Sequence, residues 1–276
     1  MNKSLDNTIL LYNQQIIKDE DMLVPFADTG AILKFVSENS IPVAHFWTTP
    51  PTVILGLQDQ RLKNIAGGMR RLEEKNYIYY VRNSGGLGVV TDSGILNFTL
   101  FLPNKNNITI DQAYEQMHQI MQKSFSDKIK TGEITRSYCP GTYDLSIDGK
   151  KIAGISQRRA GNAVAIMAYI SVTGDQKKRS QLMKDFYEIS NYPKHENIEY
   201  PDIDVHCMTD LDEMLDTPLT IDIAKQRILD ELSTSDYNID RGNFNIVRES
   251  LPYKDAYNQT MDDLIYKNKK LLLGEK

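Results

Sequence analysis

Cysteine is nearly absent from this chain: two residues in 276, Cys139 and Cys207. They lie far apart in sequence and permit one disulfide at most. Nothing else points outside the cell, so free thiols in a reducing cytoplasm are the expectation. Histidine is equally scarce. His45, His118, His195 and His206 are scattered without ligand spacing, which argues against a metal centre. No window holds ~18 consecutive apolar residues, so no membrane-spanning helix is expected. The N-terminal stretch MNKSLDNTILLYNQQIIKDEDM lacks a long apolar run and a small-residue cleavage site, and it does not read as a secretory signal. Positive charge is not in excess either. With 32 Lys and Arg against 37 Asp and Glu, the net charge of -5 provides no global basic field for nucleic acid. A Gly-x-Ser-x-Gly elbow is missing, which leaves a serine hydrolase without support.

What is present is a mixture of strand and helix patterns. DTGAILKFVSENS places Ala31, Ile32, Phe35 and Val36 on one helical face, with Asp28 as a plausible N-cap. PVAHFWTT, TVILGLQ, NYIYYV and GILNFTLFLP read as strands. Thr109 and Gln112 form a capping-box pattern ahead of a helix through Met117, Ile120, Met121 and Phe125. TYDLSI and KKIAGISQRR face each other across Asp148-Gly149, the pair favoured in tight hairpin turns. AVAIMAYISV reads as a strand buried on both faces, and a helix follows from Gln176 to Ile189. The chain from about residue 200 looks mostly helical, with Thr220 able to cap TIDIAKQRILDEL. The pattern is α+β with a largely antiparallel sheet, and a minor terminal subdomain could begin near residue 200.

Two stretches carry chemistry. In SYCPGTYDLSIDGKKIAGISQRR, Cys139 sits on a Pro-Gly turn, with Arg136 three residues before it and Lys151 across the hairpin. A free cysteine is most often a small buried apolar residue, but positive neighbours favour the nucleophilic thiolate. Lys150 and Lys151 alternate, so one faces solvent and the other faces inward. The inward one either snorkels to water or is aimed at a carbonyl oxygen that gains charge during acyl transfer. Cys207 reads as structural. RNSGGLGVVTD is glycine-rich after a strand. It lacks the P-loop ending and the dinucleotide-binding spacing, and alone it would be a bulge or hairpin loop.

Three segments in this order, FWTTPPTVILGLQ, VRNSGGLGVVTDSGILNF and SYCPGTYDLSIDGKKIAGISQRR, resemble the family of lipoate-protein ligases and octanoyltransferases, with its biotin-ligase relatives. The resemblance runs from about residue 25 to about 190. It implies a biotin/lipoate-protein ligase-like α+β fold, a mixed, largely antiparallel sheet flanked by helices in one catalytic domain over residues 1–276 with a mostly helical part from about 200. It also implies an acyl pocket formed by Arg82, Ser84, Gly85 and Gly86 with the lysine strand, including Gly154. It places the family lysine on Lys151, leaving Lys150 outside.

Within the family, the ATP-dependent ligases resemble Arg-Arg-x-Ser-Gly-Gly-Gly followed by His-Asp. Here Asn83, Leu87 and Thr91 depart from that pattern and argue against nucleotide binding. The cysteine precedes the lysine, as in the cysteine octanoyltransferases of Gram-positive bacteria, and the segment is most similar to their amidotransferase type. That type implies octanoyl (or lipoyl) transfer from the glycine-cleavage H protein to the lipoyl domains of 2-oxoacid dehydrogenases. Cys139 would carry the acyl group as a thioester and Lys151 would polarise it, with no ATP, metal or other cofactor. The alternatives are transfer from octanoyl-acyl carrier protein, an ATP-dependent lipoate ligase, and a non-catalytic acyl-binding regulator. His45 and Asp92 are the candidates for a general base. Arg158, Arg159, Lys177, Lys178 and Arg179 are candidates for a basic face towards acidic partners, against the alternative of a solvated charged surface.

Overall fold

The computed structural model describes residues 7–14, 18–105, 107–191, 200–235 and 237–273; His195 lies outside them. The chain opens on β1 (Thr8–Asn13), enters α1 (Val24–Asn39) and returns as β2 (Val43–Trp47) and β3 (Thr52–Leu55). Helix α2 (Ile65–Glu74) is followed by β4 (Ile78–Val81), β5 (Val89–Thr91) and β6 (Ile95–Pro103). Helix α3 (Ile110–Ser124) leads to β7 (Lys130–Thr131), β8 (Leu145–Ile147), β9 (Lys150–Ala160), β10 (Ala163–Ser171) and α4 (Gln176–Ser190). The remainder holds α5 (Leu211–Leu215), α6 (Ile221–Thr234), β11 (Asn238–Asp240), α7 (Phe244–Glu249) and α8 (Leu251–Leu273).

These elements form two sheets. The larger has the order β11-β1-β2-β6-β10-β9-β8-β7, and the smaller the order β4-β3-β5. In the large sheet β1 runs parallel to both β2 and β11, and the other pairs are antiparallel. The fold is therefore mixed α+β, as the patterns imply, although the second sheet is not evident from them. The central strands read as continuous apolar runs because both faces are covered. Ile9, Leu11, Phe46, Phe98 and Leu100 pack against Met117 and Met121 of α3 and Ile228 and Leu232 of α6. On the opposite face Leu10, Tyr12, Val43, Phe101 and Ala165 meet Ile32 and Val36 of α1 and Tyr253 and Ala256 of α8.

Local chemistry explains most boundaries. Thr109 Oγ1 accepts from Gln112 N at 3.1 Å while the Gln112 side chain accepts from Thr109 N at 2.9 Å, a complete capping box. Asp148 and Gly149 adopt φ of 50° and 77°, the pair of positive angles that a primed hairpin turn requires. Helix α1 differs from its expected start. It begins four residues before Asp28, with Pro25 in its first turn where a missing N–H costs nothing. Asp28 is consequently no cap. It is buried inside the helix, where its carboxylate accepts from Tyr12, Gln14 and Tyr253. Strand β10 also departs from expectation: Met167 and Tyr169, in the middle of the sheet, are only half-buried, so that part of the sheet face is open.

Candidate functional site

The segment from Ile134 to Asp144 is a tight loop closed by one carboxylate. Asp144 Oδ2 accepts from Gly141 N at 3.1 Å and from Ile134 N at 3.3 Å, drawing the two ends of the loop together around Cys139. The other oxygen, Oδ1, lies 2.9 Å from Lys151 Nζ. Both side chains are almost fully removed from water, at 3% exposure for Lys151 and 2% for Asp144. A buried ammonium requires such a partner. Burial lifts the Asp144 carboxyl above the ordinary carboxylate range, and the Lys151 charge opposes that rise. The remaining two ammonium hydrogens of Lys151 go to Ser137 Oγ at 3.2 Å and to the Cys139 carbonyl oxygen at 2.5 Å. All three donors of the lysine are thereby engaged.

A β-bulge sets the direction in which Lys151 points. Leu145 pairs with Ala153, but Ser146 pairs with Lys151, so the register shifts by one between them. An extra residue in one strand breaks strict alternation. Lys151 and Gly154, an odd number of residues apart, consequently share a side: a Cβ on Gly154 would lie 3.5 Å from Lys151 Cε and 3.6 Å from Nζ. Lys150 is exposed. The backbone of Lys151 is held from its outer side, donating to Cys207 O and accepting from Thr209 N, both at 2.9 Å.

The glycine-rich loop meets Cys139 from the small sheet. Arg82 folds over its own loop, donating to Gly85 O at 2.8 Å and Leu87 O at 3.1 Å. Gly86 has φ of 86°, a left-handed angle that strains any other residue, and a Cβ there would sit 3.8 Å from Cys139 Sγ. Gly56 packs so closely beneath that its Cβ would fall 1.9 Å from Gly86 O. A Cβ on Gly85 would meet no described residue within 4 Å, so the loop presents an open side there. Asn83 reaches towards Arg158 of β9, placing the loop over the lysine strand. Cys139, Lys151, Arg82, Gly86 and Gly154 are thus gathered in one place, with Ser84 and Gly85 on the same loop. Cys139 itself is half-buried, at the margin of an apolar cluster that includes Tyr138, Met183, Tyr187 and Met208.

Sequence reasoning missed the support behind this loop. Asp59 accepts from Gly56 N at 2.8 Å and from Tyr187 OH at 2.9 Å, and Tyr187 OH accepts from Gly88 N at 2.8 Å. One buried acid therefore ties Gly56, which packs beneath the glycine loop, to Gly88 at the loop's far end. Burial pushes the Asp59 carboxyl up to about 6, against the lowering effect of its hydrogen bonds and of Arg82. The folded protein then keeps a proton that the unfolded chain releases near the ordinary value of about 4. The stability supplied by this group is full below about pH 4 and is lost as pH rises through about 6, amounting to ~3 kcal/mol at most. Thermal melts across that range should show Asp59→Asn losing this component of the pH slope. Parallel curves for variant and wild type would contradict it.

Other candidates fall elsewhere. Arg136 pairs with Asp202 and Asp204, both at 3.3 Å, so its charge is engaged by two carboxylates. His45 is fully buried among Tyr12 and Gln14, and burial pushes its imidazole down to about 3. A base enclosed in that way has no access to a substrate. Asp92 is clasped by both Arg179 Nε and Nη2 at 2.8 Å, while Arg179 Nη1 meets Asp210 at 2.7 Å. Arg179 is 3% exposed and does not belong to a basic surface. Lys177 and Lys178 are exposed. Burial raises the Cys207 thiol, which fits a structural cysteine. Among the described residues no group of three or more His, Cys, Asp or Glu is arranged to hold a metal, and no helix is long and apolar enough to cross a membrane.

Comparison with known proteins gives this geometry a context. Residues 21–233 match the family described as the lipoyl protein ligase A/B catalytic domain. The chain is 43% identical over 202 residues to an octanoyl-GcvH:protein N-octanoyltransferase of Macrococcus caseolyticus, covering 72% of this chain and 74% of that one. It is 36% identical over 281 residues to a lipoyl-GcvH:protein N-lipoyltransferase of Listeria monocytogenes, covering 98% and 99%. Among solved structures, a lipoate-protein ligase A bound with ATP superposes with a TM-score of 0.67 over 93% of this chain and 94% of that one, at 16% identity. That last likeness is one of fold.

Proposed function

Because the chain belongs to the lipoyl protein ligase A/B catalytic-domain family and is an acyltransferase, we propose that it exchanges an octanoyl or lipoyl group between protein lysines through a thioester on Cys139. The donor is the acylated glycine-cleavage H protein, in keeping with the substrate named for the relatives. The acceptors are lipoyl domains of 2-oxoacid dehydrogenases, and the reaction takes place in the reducing cytoplasm, where Cys139 stays a free thiol. The observation that carries the reading is the seat of Cys139: a half-exposed thiol between a left-handed glycine and a buried lysine that already bonds its backbone carbonyl.

In the first half-reaction Cys139 Sγ attacks the carbonyl carbon of the acyl-lysine amide. The C–N bond breaks, and the proton leaving the thiol ends on the departing amine. In the second, the amine of an acceptor lysine attacks the thioester, the C–S bond breaks and the thiol is restored. One amide is exchanged for another, so no nucleotide is consumed. A covalent nucleophile divides a difficult transfer into two steps. Lys151, freed from one of its protein acceptors, donates to the oxyanion in both. The acyl chain lies over the open sheet face beside Tyr169, whose hydroxyl is 2.7 Å from that of Tyr138, the neighbour of Cys139.

Intact mass spectrometry of the protein mixed with octanoylated H protein, without ATP, tests this directly. An octanoyl-sized, hydroxylamine-labile adduct on Cys139 is expected. An adduct formed only from octanoyl-acyl carrier protein would replace the donor. Lysine acylation that requires ATP and free lipoate would replace the mechanism.

A further inference from the structure

The small sheet ends at β4, whose outer edge has no partner strand among the described residues, and the last residue of that edge is Val81, immediately before Arg82. In β4 the even-numbered amides face inward: Arg82 N donates to Leu55 O at 3.0 Å and Ile78 N to Pro51 O at 3.1 Å. Val81 therefore turns its N–H and C=O outward, to the side where an edge strand normally has no partner. Both groups are nevertheless bonded. Val81 N donates to Asn268 Oδ1 at 2.8 Å, and Asn268 Nδ2 donates to Val81 O at 3.0 Å. A side-chain amide offers a donor and an acceptor side by side, and here it replaces the missing strand. The second Nδ2 hydrogen goes to Leu264 O at 2.8 Å, one helical turn back, which fixes the orientation of the amide on α8.

Helix α8 is itself anchored far from this point. Tyr253, fifteen positions earlier or ~22 Å along a helix axis, donates to the buried Asp28 at 2.7 Å. Between these two ends α8 lies so close to α1 that a Cβ on Gly30 would fall 2.4 Å from Thr260 Oγ1. The helix is thus a strut from the large sheet and α1 to the edge of the small sheet. It lies wholly outside the matched catalytic-domain residues 21–233.

We infer that Asn268 is a positioning residue for acyl transfer: by pairing with Val81 it fixes Arg82, and through Arg82 the Gly85–Leu87 backbone, against Cys139. The C-terminal helix thereby becomes part of the acyl-site scaffold. Arg82, the residue directly after Val81, donates to Gly85 O and Leu87 O, and a Cβ on Gly86 would lie 3.8 Å from the Cys139 sulfur. This inference rests on the amidotransfer reading for its rate effect, but not for its structural effect.

The test separates the two. In the wild-type full chain, hydrogen exchange should find the Val81 amide protected at least about a hundredfold more than that of Tyr79, the other outward-facing amide of β4. In Asn268→Ala, exchange across residues 81–88 should accelerate, and single-turnover acylation of Cys139 by octanoylated H protein should slow about tenfold or more, the usual consequence of orphaning buried polar groups. The effect should fall on the rate constant and not on the half-saturating donor concentration. Tyr266→Ala, on the exposed side of α8, should match wild type in both measurements. An unprotected Val81 amide in the wild type, or an Asn268→Ala protein that melts normally and matches wild type in exchange and acylation, would overturn the inference. If wild type forms no adduct at all, the amidotransfer reading fails while the exchange data still decide the role of Asn268.

Discussion

Cys139→Ser should lose transfer by at least about a thousandfold, with the fold intact, because a serine hydroxyl is a far weaker nucleophile than a thiol at neutral pH. Cys139 is half-buried at the edge of its apolar cluster, so exchanging sulfur for oxygen there should change stability by less than ~1 kcal/mol. The variant should also fail to form the hydroxylamine-labile adduct. Cys207→Ser is the matched control. Its thiol is raised by burial, and the variant should retain both adduct and transfer. Transfer by Cys139→Ser at near wild-type rate, or loss of activity confined to Cys207→Ser, would refute the assignment of the nucleophile.

The second large effect concerns stability. Asp144→Ala should cost about 3–5 kcal/mol, because it leaves the Lys151 ammonium buried without a counter-charge, and it also releases the amides of Ile134 and Gly141. Lys151→Met should cost less. The carboxyl it leaves behind is already raised by burial and can take up a proton. Lys151→Met should still lose most transfer activity, since no ammonium remains to meet an oxyanion. The double variant Asp144→Leu with Lys151→Met should regain stability relative to Asp144→Ala without regaining activity. Denaturant melts of the three proteins beside single-turnover assays would test the ordering. Equal destabilisation by both single changes would show that the pair is less isolated from water than its geometry indicates.

Much of the architecture was legible because local signals and burial agreed. The capping box at Thr109, the Asp148-Gly149 turn and the apolar runs of β2, β6 and β10 each have a local cause. The apolar face of α1 is visible in the sequence, but its start is not, since Asp28 looks like a cap until its buried partners Tyr12 and Tyr253 are known. Those partners are 16 and 225 positions away, beyond the reach of any local pattern. The site divides in the same way. Cys139, Lys151 and the glycine loop carry a motif, whereas Asp144, Asp59 and Tyr187 act through contacts. Asp144 left one faint sign, an acid directly before the short strand LSI of a hairpin whose opposite strand carries a lysine. Arg179 gave the reverse signal. It resembles a surface charge beside Lys177 and Lys178, and only the tertiary fold reveals the two carboxylates that enclose it.

The full set of acceptors around Lys151 has a consequence for how the enzyme would distinguish a resting substrate from a reacting one. A substrate carbonyl does not meet a vacant cation. Under the proposed mechanism it would have to displace either the Ser137 hydroxyl or the Cys139 carbonyl, and a neutral amide oxygen gains little by trading places with another neutral oxygen. Once the thiolate has added and the oxygen bears charge, the same exchange becomes strongly favourable, because bonds to ionised acceptors are roughly twice as strong. On the proposed mechanism the ammonium would thus be nearly indifferent to the bound amide and selective for the tetrahedral adduct, which is the condition under which an interaction lowers a barrier instead of tightening a ground state.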